Sequence, residues 1–404
     1  MLLKQKILLI TPMTGQKIMS KNILYIAPYR QNDGWGNASL GYLNSIIYAC
    51  NEKNYSLKIH PVYFSQEIAQ NIPEYVRILE SETITKFDTI IQKVLPQAIY
   101  TDKTSSNVGI NVFEVNNLTK NYGIIQPLNQ LDKICVPSSI EKRALVDSGV
   151  HKPIHTISQV IPCEEIDSAI SVIETDNRDF VGLNTKYKDY IKLYFIGTFI
   201  KRKNIINLIK AFRSEIMERE KVVLVIKTSH IPDEKKDSFI KSLEKELSTL
   251  RFHKGLGSKV LLITENISRY DILKLHYYCD IFVCPSKGEA FCRPLAESMR
   301  FGNIPICVEN TGPTDYVNND NGFIIPAIEE QVEYSGNGLL DHDSEYEVGM
   351  SPSVLSIRQT IRNAIEIYKT NKELLKYKSD QSKLMTNQFS YQEVGKKLCL
   401  LDIV

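Results

Sequence analysis

Two carboxylates with seven residues between them stand in the string Pro285-Ser286-Lys287-Gly288-Glu289-Ala290-Phe291-Cys292-Arg293-Pro294-Leu295-Ala296-Glu297. The apolar run Ile281 to Cys284 precedes it, and Pro294 suits the first turn of a helix. Strand, loop and helix in that order place Glu289 at the carboxyl end of a strand. Glu297 falls about one turn inside the helix, and helical side chains tilt back toward the N-terminus, so both acids reach one crevice. Between them the first amides of the helix carry partial positive charge. A bare pair of acids is commonly two solvated side chains. In this context they are acceptors for hydroxyls on either side of a phosphate site, which suits a sugar joined to a diphosphate.

A second loop, Gly197-Thr198-Phe199-Ile200-Lys201-Arg202-Lys203-Asn204, also follows an apolar run and precedes a helical pattern. Gly197 permits a tight turn and close backbone approach. Three successive cations oppose the dipole of the helix they precede unless an anion is bound. Arg202 can grip phosphate oxygens in a fork and Lys203 can act as a point charge. Lys227 ends the otherwise apolar run Val222 to Ile226, so it must emerge at the carboxyl edge of a sheet. Near the start, Asp33-Gly34-Trp35-Gly36-Asn37 joins the first strand to the first helix, and Gly34 and Gly36 allow a ligand close to the backbone. Ser39 stands where a dinucleotide fingerprint needs glycine. Glu114 ends an apolar strand and is the acceptor-side candidate. Asp341-His342-Asp343 is read as a solvated loop rather than a metal ligand set, and His151 and His155 as strand residues.

The elements that must hold these residues come from short apolar runs alternating with amphipathic helices, the mark of α/β architecture. Strands are expected near 22–28, 57–64, 108–115, 132–137 and 153–160, with helices over 38–51 and 139–149. Residues 164–189 are polar and poorly periodic and read as a boundary. Strands then recur at 190–197, 222–228, 260–264, 281–285, 304–308 and 322–326. Helices follow Asn204 and cover 232–252, 269–279 and 293–302. Residues 328–352 read as loop and 353–404 as mostly helical. The expected fold is therefore α/β, two Rossmann-like domains facing across a cleft. The expected divisions are an extension at 1–18 outside the fold, a first domain at 19–175, a linker at 176–189, a second domain at 190–370 and closing helices at 371–404.

Composition excludes several classes. The 404 residues carry 49 Lys plus Arg against 47 Asp plus Glu, a net charge of +2, so no nucleic-acid binding is expected. The eight cysteines form no Cys-x-x-Cys pair, which suggests a reducing, cytoplasmic setting and neither a disulfide framework nor a zinc knuckle. No apolar stretch is long enough to span a membrane.

Taken together, residues 190–327 resemble the donor-binding domain of family 4 glycosyltransferases, retaining enzymes of GT-B fold. The Glu-x7-Glu string is the most specific match, and Gly197 with Arg202-Lys203-Asn204 is the second. Phe389-Ser390-Tyr391 and the helix after it resemble the closing helix that crosses back to the first domain. The resemblance implies transfer of a hexose from a UDP- or GDP-sugar to a carbohydrate or lipid-linked acceptor, with no metal or other cofactor. It places Glu289 beside the sugar hydroxyls, Glu297 on the ribose, and Arg202 with Lys203 or Lys227 on the departing diphosphate. Backbone groups of Ala290, Phe291 and Cys292 would contact sugar and phosphate, with Gly34 and Gly36 closing over the diphosphate. Relatives usually carry Gly-Phe-Gly where Ala290-Phe291-Cys292 stands, and the cleft histidine of many relatives is not identifiable, with Glu114 the candidate for that region. Peripheral membrane contact is a further implication. A nucleotide-sugar 2-epimerase of the same shape and a non-catalytic nucleotide-sugar-binding protein are the competing readings.

Overall fold

The computed structural model describes residues 20–64, 68–69, 72–118, 122–228, 237–238, 241, 243, 259–331 and 348–404. The extension at 1–18, most of the helix expected at 232–252, and Asp341-His342-Asp343 lie outside the described residues.

Six parallel strands form the first sheet: β1 (Asn22–Ala27), β2 (Ser56–Pro61), β3 (Thr89–Gln92), β4 (Ser106–Ile110), β5 (Lys133–Val136) and β6 (Ile154–Thr156), in the order β2-β1-β3-β4-β5-β6. Helices α1 (Gly34–Lys53), α2 (Glu74–Ser81), α3 (Tyr122–Leu128) and α4 (Ser139–Asp147) fill the connections. The central strands are apolar on both faces because helices cover both sides of a parallel sheet. β3 has only four residues, all buried, and short apolar runs of that kind carry no periodicity. Sequence pattern alone therefore does not reveal it.

A second six-stranded parallel sheet follows: β7 (Ile191–Ile196), β8 (Val222–Lys227), β9 (Lys259–Ile263), β10 (Ile281–Cys284), β11 (Ile304–Val308) and β12 (Phe323–Ile325), in the order β12-β11-β10-β7-β8-β9. Counted within this domain, that is the 3-2-1-4-5-6 order of a dinucleotide fold read from its other edge. The expectation of two Rossmann-like domains is met. Between the sheets runs α5 (Cys163–Glu174), inside the segment expected to be aperiodic. Its Ile166 and Ile173 are buried against Leu273, at helical spacing that the acids Glu164, Glu165 and Asp167 obscure.

The second domain continues with α6 (Ile205–Glu215), α7 (Arg269–Tyr278) and α8 (Arg293–Arg300). Residues expected as loop at 328–352 instead include two antiparallel strands, β13 (Ile328–Gln331) and β14 (Val348–Ser351). Three helices close the chain: α9 (Val354–Thr370), α10 (Lys372–Met385) and α11 (Tyr391–Leu400). The last returns to the first domain, where Val394, Leu398, Ile403 and Val404 join its core. Gly395 lets α11 approach α1, because a Cβ there would stand 2.8 Å from the Ser45 carbonyl oxygen and 2.7 Å from the Tyr48 ring. No described helix is long and apolar enough to cross a membrane.

Candidate functional site

Each sheet has one point where the strand order reverses: between β1 and β3 in the first, and between β7 and β10 in the second. Ligands of open α/β sheets bind in the crevice outside the carboxyl ends of strands at such points. The loop after β7 holds Gly197 to Asn204, and the loop after β10 holds Pro285 to Cys292. Hydrogen bonds tie the two loops together. The Lys287 amide donates to the Arg202 carbonyl at 2.8 Å, Arg202 Nη1 donates to the Gly288 carbonyl at 2.6 Å, and Asn204 Nδ2 donates to the Pro285 carbonyl at 3.1 Å. A 3-10 turn at Lys201–Lys203, ended by Asn204 at φ 56°, aims Arg202 and Lys203 at the acids.

The chemistry collects in four charges. Lys203 Nζ donates to Glu289 Oε1 at 2.6 Å, and Arg202 Nη1 lies 3.8 Å from Glu289 Oε2. Glu114 from the first domain completes the group with a close ion pair to Arg202 and a 4.0 Å approach to Lys203. Glu289 is 5% exposed and Arg202 7%, so the domains are closed over this cluster. Burial favours a neutral Glu289, but Lys203 and Arg202 outweigh it and hold the carboxyl below its ordinary range. Burial and Arg202 likewise oppose the charge on Lys203, and Glu289 with Glu114 more than restore it. The cations expected to await an anion are thus occupied by two carboxylates in this structure. Gly288 sits at the domain contact, where a Cβ would meet the Glu114 carbonyl oxygen at 2.0 Å.

Glu297 lies on α8 and is 4% exposed. Arg269 Nη1 donates to its Oε2 at 2.6 Å and Arg293 Nη2 to its Oε1 at 3.4 Å. Burial pushes its pKa up, and the two guanidiniums bring it below the usual range. His276 Nε2 stands 3.8 Å away. The Tyr194 hydroxyl accepts from Asn303 Nδ2 at 2.7 Å and shares a hydrogen bond with His276 Nδ1 at 2.8 Å. Burial lowers the His276 pKa to about 3, so the ring is neutral.

Between the two acids, the amides of residues 289–292 take no part in the backbone hydrogen bonding of the described residues. Cys292 caps α8 at φ 61° without a side-chain cap bond. A left-handed residue before a helix N-terminus turns successive amides toward one point, an anion-binding arrangement. Glycine stands here in the resembled family; Cys292 adopts the same left-handed form at a cost of roughly 1–2 kcal/mol. Cys284 Sγ, Cys292 Sγ and a Glu289 oxygen lie within 4.8 Å of one another, a grouping of the ligand types a soft metal takes. The adjoining Lys203 and Arg202 disfavour a dication there.

Other expected site residues are placed differently. Lys227 lies beside Gly197, whose amide donates to its carbonyl at 3.0 Å, but its ammonium bonds the Thr228 carbonyl and the charge that acts on it is Glu265, not Glu289. It does not join the cluster. Gly197 is required by its own strand, since a Cβ would stand 2.7 Å from the Phe195 ring. The Phe291 side chain packs against Tyr316 and Phe389 in the core, and the Ala290 carbonyl lies 2.0 Å from where a Gly312 Cβ would be. Any ligand contact there falls to the backbone. Gly36 is fixed by the Gln31 carbonyl oxygen, which lies 1.9 Å from where a Cβ on Gly36 would stand, and its amide is capped by Asp33 Oδ1 at 2.8 Å. Gly34 faces open space. Sequence reasoning missed Arg269, Arg293 and His276, although Arg293 lies inside the Glu-x7-Glu string.

Residues 177–335 match the family described as glycosyl transferases group 1. That match bears out the expectation of a glycosyltransferase enzyme, on the part of the chain that carries both acids. No curated protein sequence matches the chain. Among solved structures, HepE of Anabaena in complex with UDP and glucose is 13% identical, over 95% of this chain and 100% of that one, with a TM-score of 0.60. Sucrose-phosphate synthase of Thermosynechococcus elongatus is 11% identical, over 95% and 98%, at 0.59. An α,α-trehalose-phosphate synthase (UDP-forming) of Burkholderia xenovorans in complex with glucose-6-phosphate is 9% identical, over 92% and 80%, at 0.58. At these identities the likeness is one of fold.

Proposed function

We propose that this protein is a retaining glycosyltransferase of the family 4 kind, moving a hexose from a nucleoside-diphosphate sugar to a hydroxyl acceptor without a metal. One observation carries the reading: at the β7/β10 reversal a buried, ionised Glu289 shares its crevice with Arg202, Lys203 and the unbonded amides of 289–292. The names of the fold neighbours, which include a UDP complex and a UDP-forming synthase, agree with a uridine donor.

In this reading the sugar C1–O bond to the β-phosphate breaks while the acceptor oxygen bonds C1 on the same face. The acceptor proton passes to the departing phosphate oxygen, which balances the transfer. Negative charge grows on the diphosphate and is met by Arg202, Lys203 and the α8 amides, all preorganised in a dry site. Those cations do the work a metal ion does elsewhere. Glu289 takes the sugar hydroxyls, and Glu297, kept ionised by Arg269 and Arg293, takes the ribose hydroxyls. Glu114 occupies the anion position until the donor displaces it.

The test is thermal denaturation against a panel of UDP- and GDP-sugars, because a ligand that binds only the folded state raises its melting temperature. Stabilisation by at least one nucleotide sugar, followed by an α-configured product from an α-donor, is the expected outcome. An inverted product refutes the mechanism, and no stabilisation by any of the panel refutes the donor class.

A further inference from the structure

The first sheet reverses its strand order between β1 and β3, so it has a ligand crevice of its own. The first residue after β3 is Lys93, whose amide donates to the Ile26 carbonyl at 2.8 Å and so sits in that crevice. Lys93 is 1% exposed. Its Nζ lies 4.1 Å from the centre of the Trp35 ring, and that cation–π contact is the interaction it makes among the described residues. Trp35 belongs to the first turn of α1, beside Gly34, whose outward side is open. From the second domain, Arg293 at the start of α8 is close enough for its charge to act on Lys93 and for the Tyr42 hydroxyl to act on it. Arg293 Nε is buried without a hydrogen-bond partner among the described residues.

A buried ammonium is normally met by a carboxylate or by several carbonyls, since leaving it otherwise is costly. Here the charges that face it are Asp33, which is committed to capping Gly36, and the like charge of Arg293. Burial and Arg293 press Lys93 toward its neutral form, against the pull of Asp33, and its pKa falls to about 7. An entering anion reverses that balance. The N-terminus of α1, the Trp35 ring and Arg293 of the second domain, whose Nη2 meets Glu297 while its Nε has no partner among the described residues, stand about the Lys93 ammonium.

We infer that the β1/β3 crevice is an anion subsite centred on Lys93, and that the acceptor carries a phosphate or comparable anionic group there. This rests on the glycosyltransferase reading for the word acceptor, but the anion subsite itself does not. The shared chemistry has two sources, the acceptor's anion or the diphosphate of the donor, and the assay separates them.

The full chain is titrated with sodium sulfate, which exchanges no proton near neutrality, in two buffers of different ionisation enthalpy at about pH 8. Wild-type protein is expected to take up nearly one proton per sulfate bound, because binding recharges Lys93. Lys93→Met is expected to bind sulfate about tenfold more weakly or worse and to take up no proton, while Lys93→Arg binds without uptake. UDP affinity of Lys93→Met is expected to stay within about twofold of wild type. Glucose 6-phosphate is expected to compete with sulfate, and glucose is not. Sulfate binding without proton uptake in wild type, equal binding by wild type and Lys93→Met, or no sulfate binding overturns the subsite. Equal weakening of sulfate and UDP assigns the cation to the donor and overturns the acceptor claim. Failure of wild type to bind any UDP- or GDP-sugar of the panel, with sulfate behaving as expected, overturns the transferase reading and leaves the subsite standing.

Discussion

Lys93 offers a prediction that needs no substrate at all. Its pKa in the folded protein is about 7, against an ordinary 10.5. Below about pH 7 the lysine is charged in both states, and the folded protein bears the full penalty of burying it. Between about 7 and 10.5 the unfolded chain holds the proton and the folded chain does not, so stability rises with pH. Each pKa unit corresponds to about 1.4 kcal/mol, so the penalty is on the order of 4 kcal/mol at neutrality. By about pH 9 it falls to about half of that, a relief of about 2 kcal/mol.

Lys93→Met removes the titration and keeps the apolar stem. The advantage of the variant over wild type should therefore be largest near neutral pH and shrink by about 2 kcal/mol on going to about pH 9. Trp35 is the single tryptophan of the chain and stacks on this lysine, so its fluorescence reports the site directly. Urea unfolding followed at Trp35, for both proteins across that pH range, measures the change. A wild-type fluorescence titration with a midpoint near 7 that vanishes in Lys93→Met is the companion result. A pH-independent stability difference, together with a flat wild-type titration, refutes the reasoning.

Other consequences follow from the paired charges. Glu289→Gln and Arg202→Ala should each lower turnover by about 100-fold or more, measured as initial rates with the donor identified by thermal shift; near wild-type turnover in both contradicts their roles. Glu114→Gln removes the carboxylate that occupies Arg202, so UDP should bind about fivefold more tightly by calorimetry, and weaker binding shows Glu114 to be part of the donor site. Gly288→Ala puts a methyl 2.0 Å from the Glu114 carbonyl oxygen, so the domains must part; small-angle scattering should show a larger radius of gyration, and an unchanged radius with full activity counts against a closed contact there. His276 is neutral in the fold with a pKa of about 3 against 6.5, so stability should drop by about 1.4 kcal/mol per unit as pH falls through that window. His276→Gln should flatten the dependence, and an equal slope in the variant assigns the acid sensitivity elsewhere.

One rule about strand ends finds one lysine in the sequence and misses another. A lysine that ends an apolar strand must emerge at the carboxyl edge, which singles out Lys227. The rule applies equally to Lys93 after Thr89-Ile90-Ile91-Gln92, but four residues carry too little pattern to declare a strand. The structure then reverses their merit: Lys227 turns its ammonium onto the Thr228 carbonyl, and Lys93 keeps its own for the crevice. The two acids of the Glu-x7-Glu string are legible because strand, loop and helix leave one geometry for them. The groups that meet Glu297 are not, because Arg269 and His276 arrive from α7, and sequence spacing carries no information on such approaches.

The two crevices are electrostatically unlike, and the difference bears on how the domains open. In the second crevice every cation of the cluster faces a carboxylate, and one of those carboxylates, Glu114, belongs to the first domain. The ion pair that neutralises Arg202 is therefore also a link between domains. Breaking this partly buried pair without replacement is costly, because the buried Arg202 charge is left behind. A diphosphate that takes the place of Glu114 supplies the replacement, so donor entry exchanges one anion for another at little electrostatic cost while cutting the link. Under the proposed function, departure of the diphosphate would hand Arg202 back to Glu114. The carboxylate already seated on Arg202 is what allows a near-neutral protein to keep two buried cations ready for a charged donor.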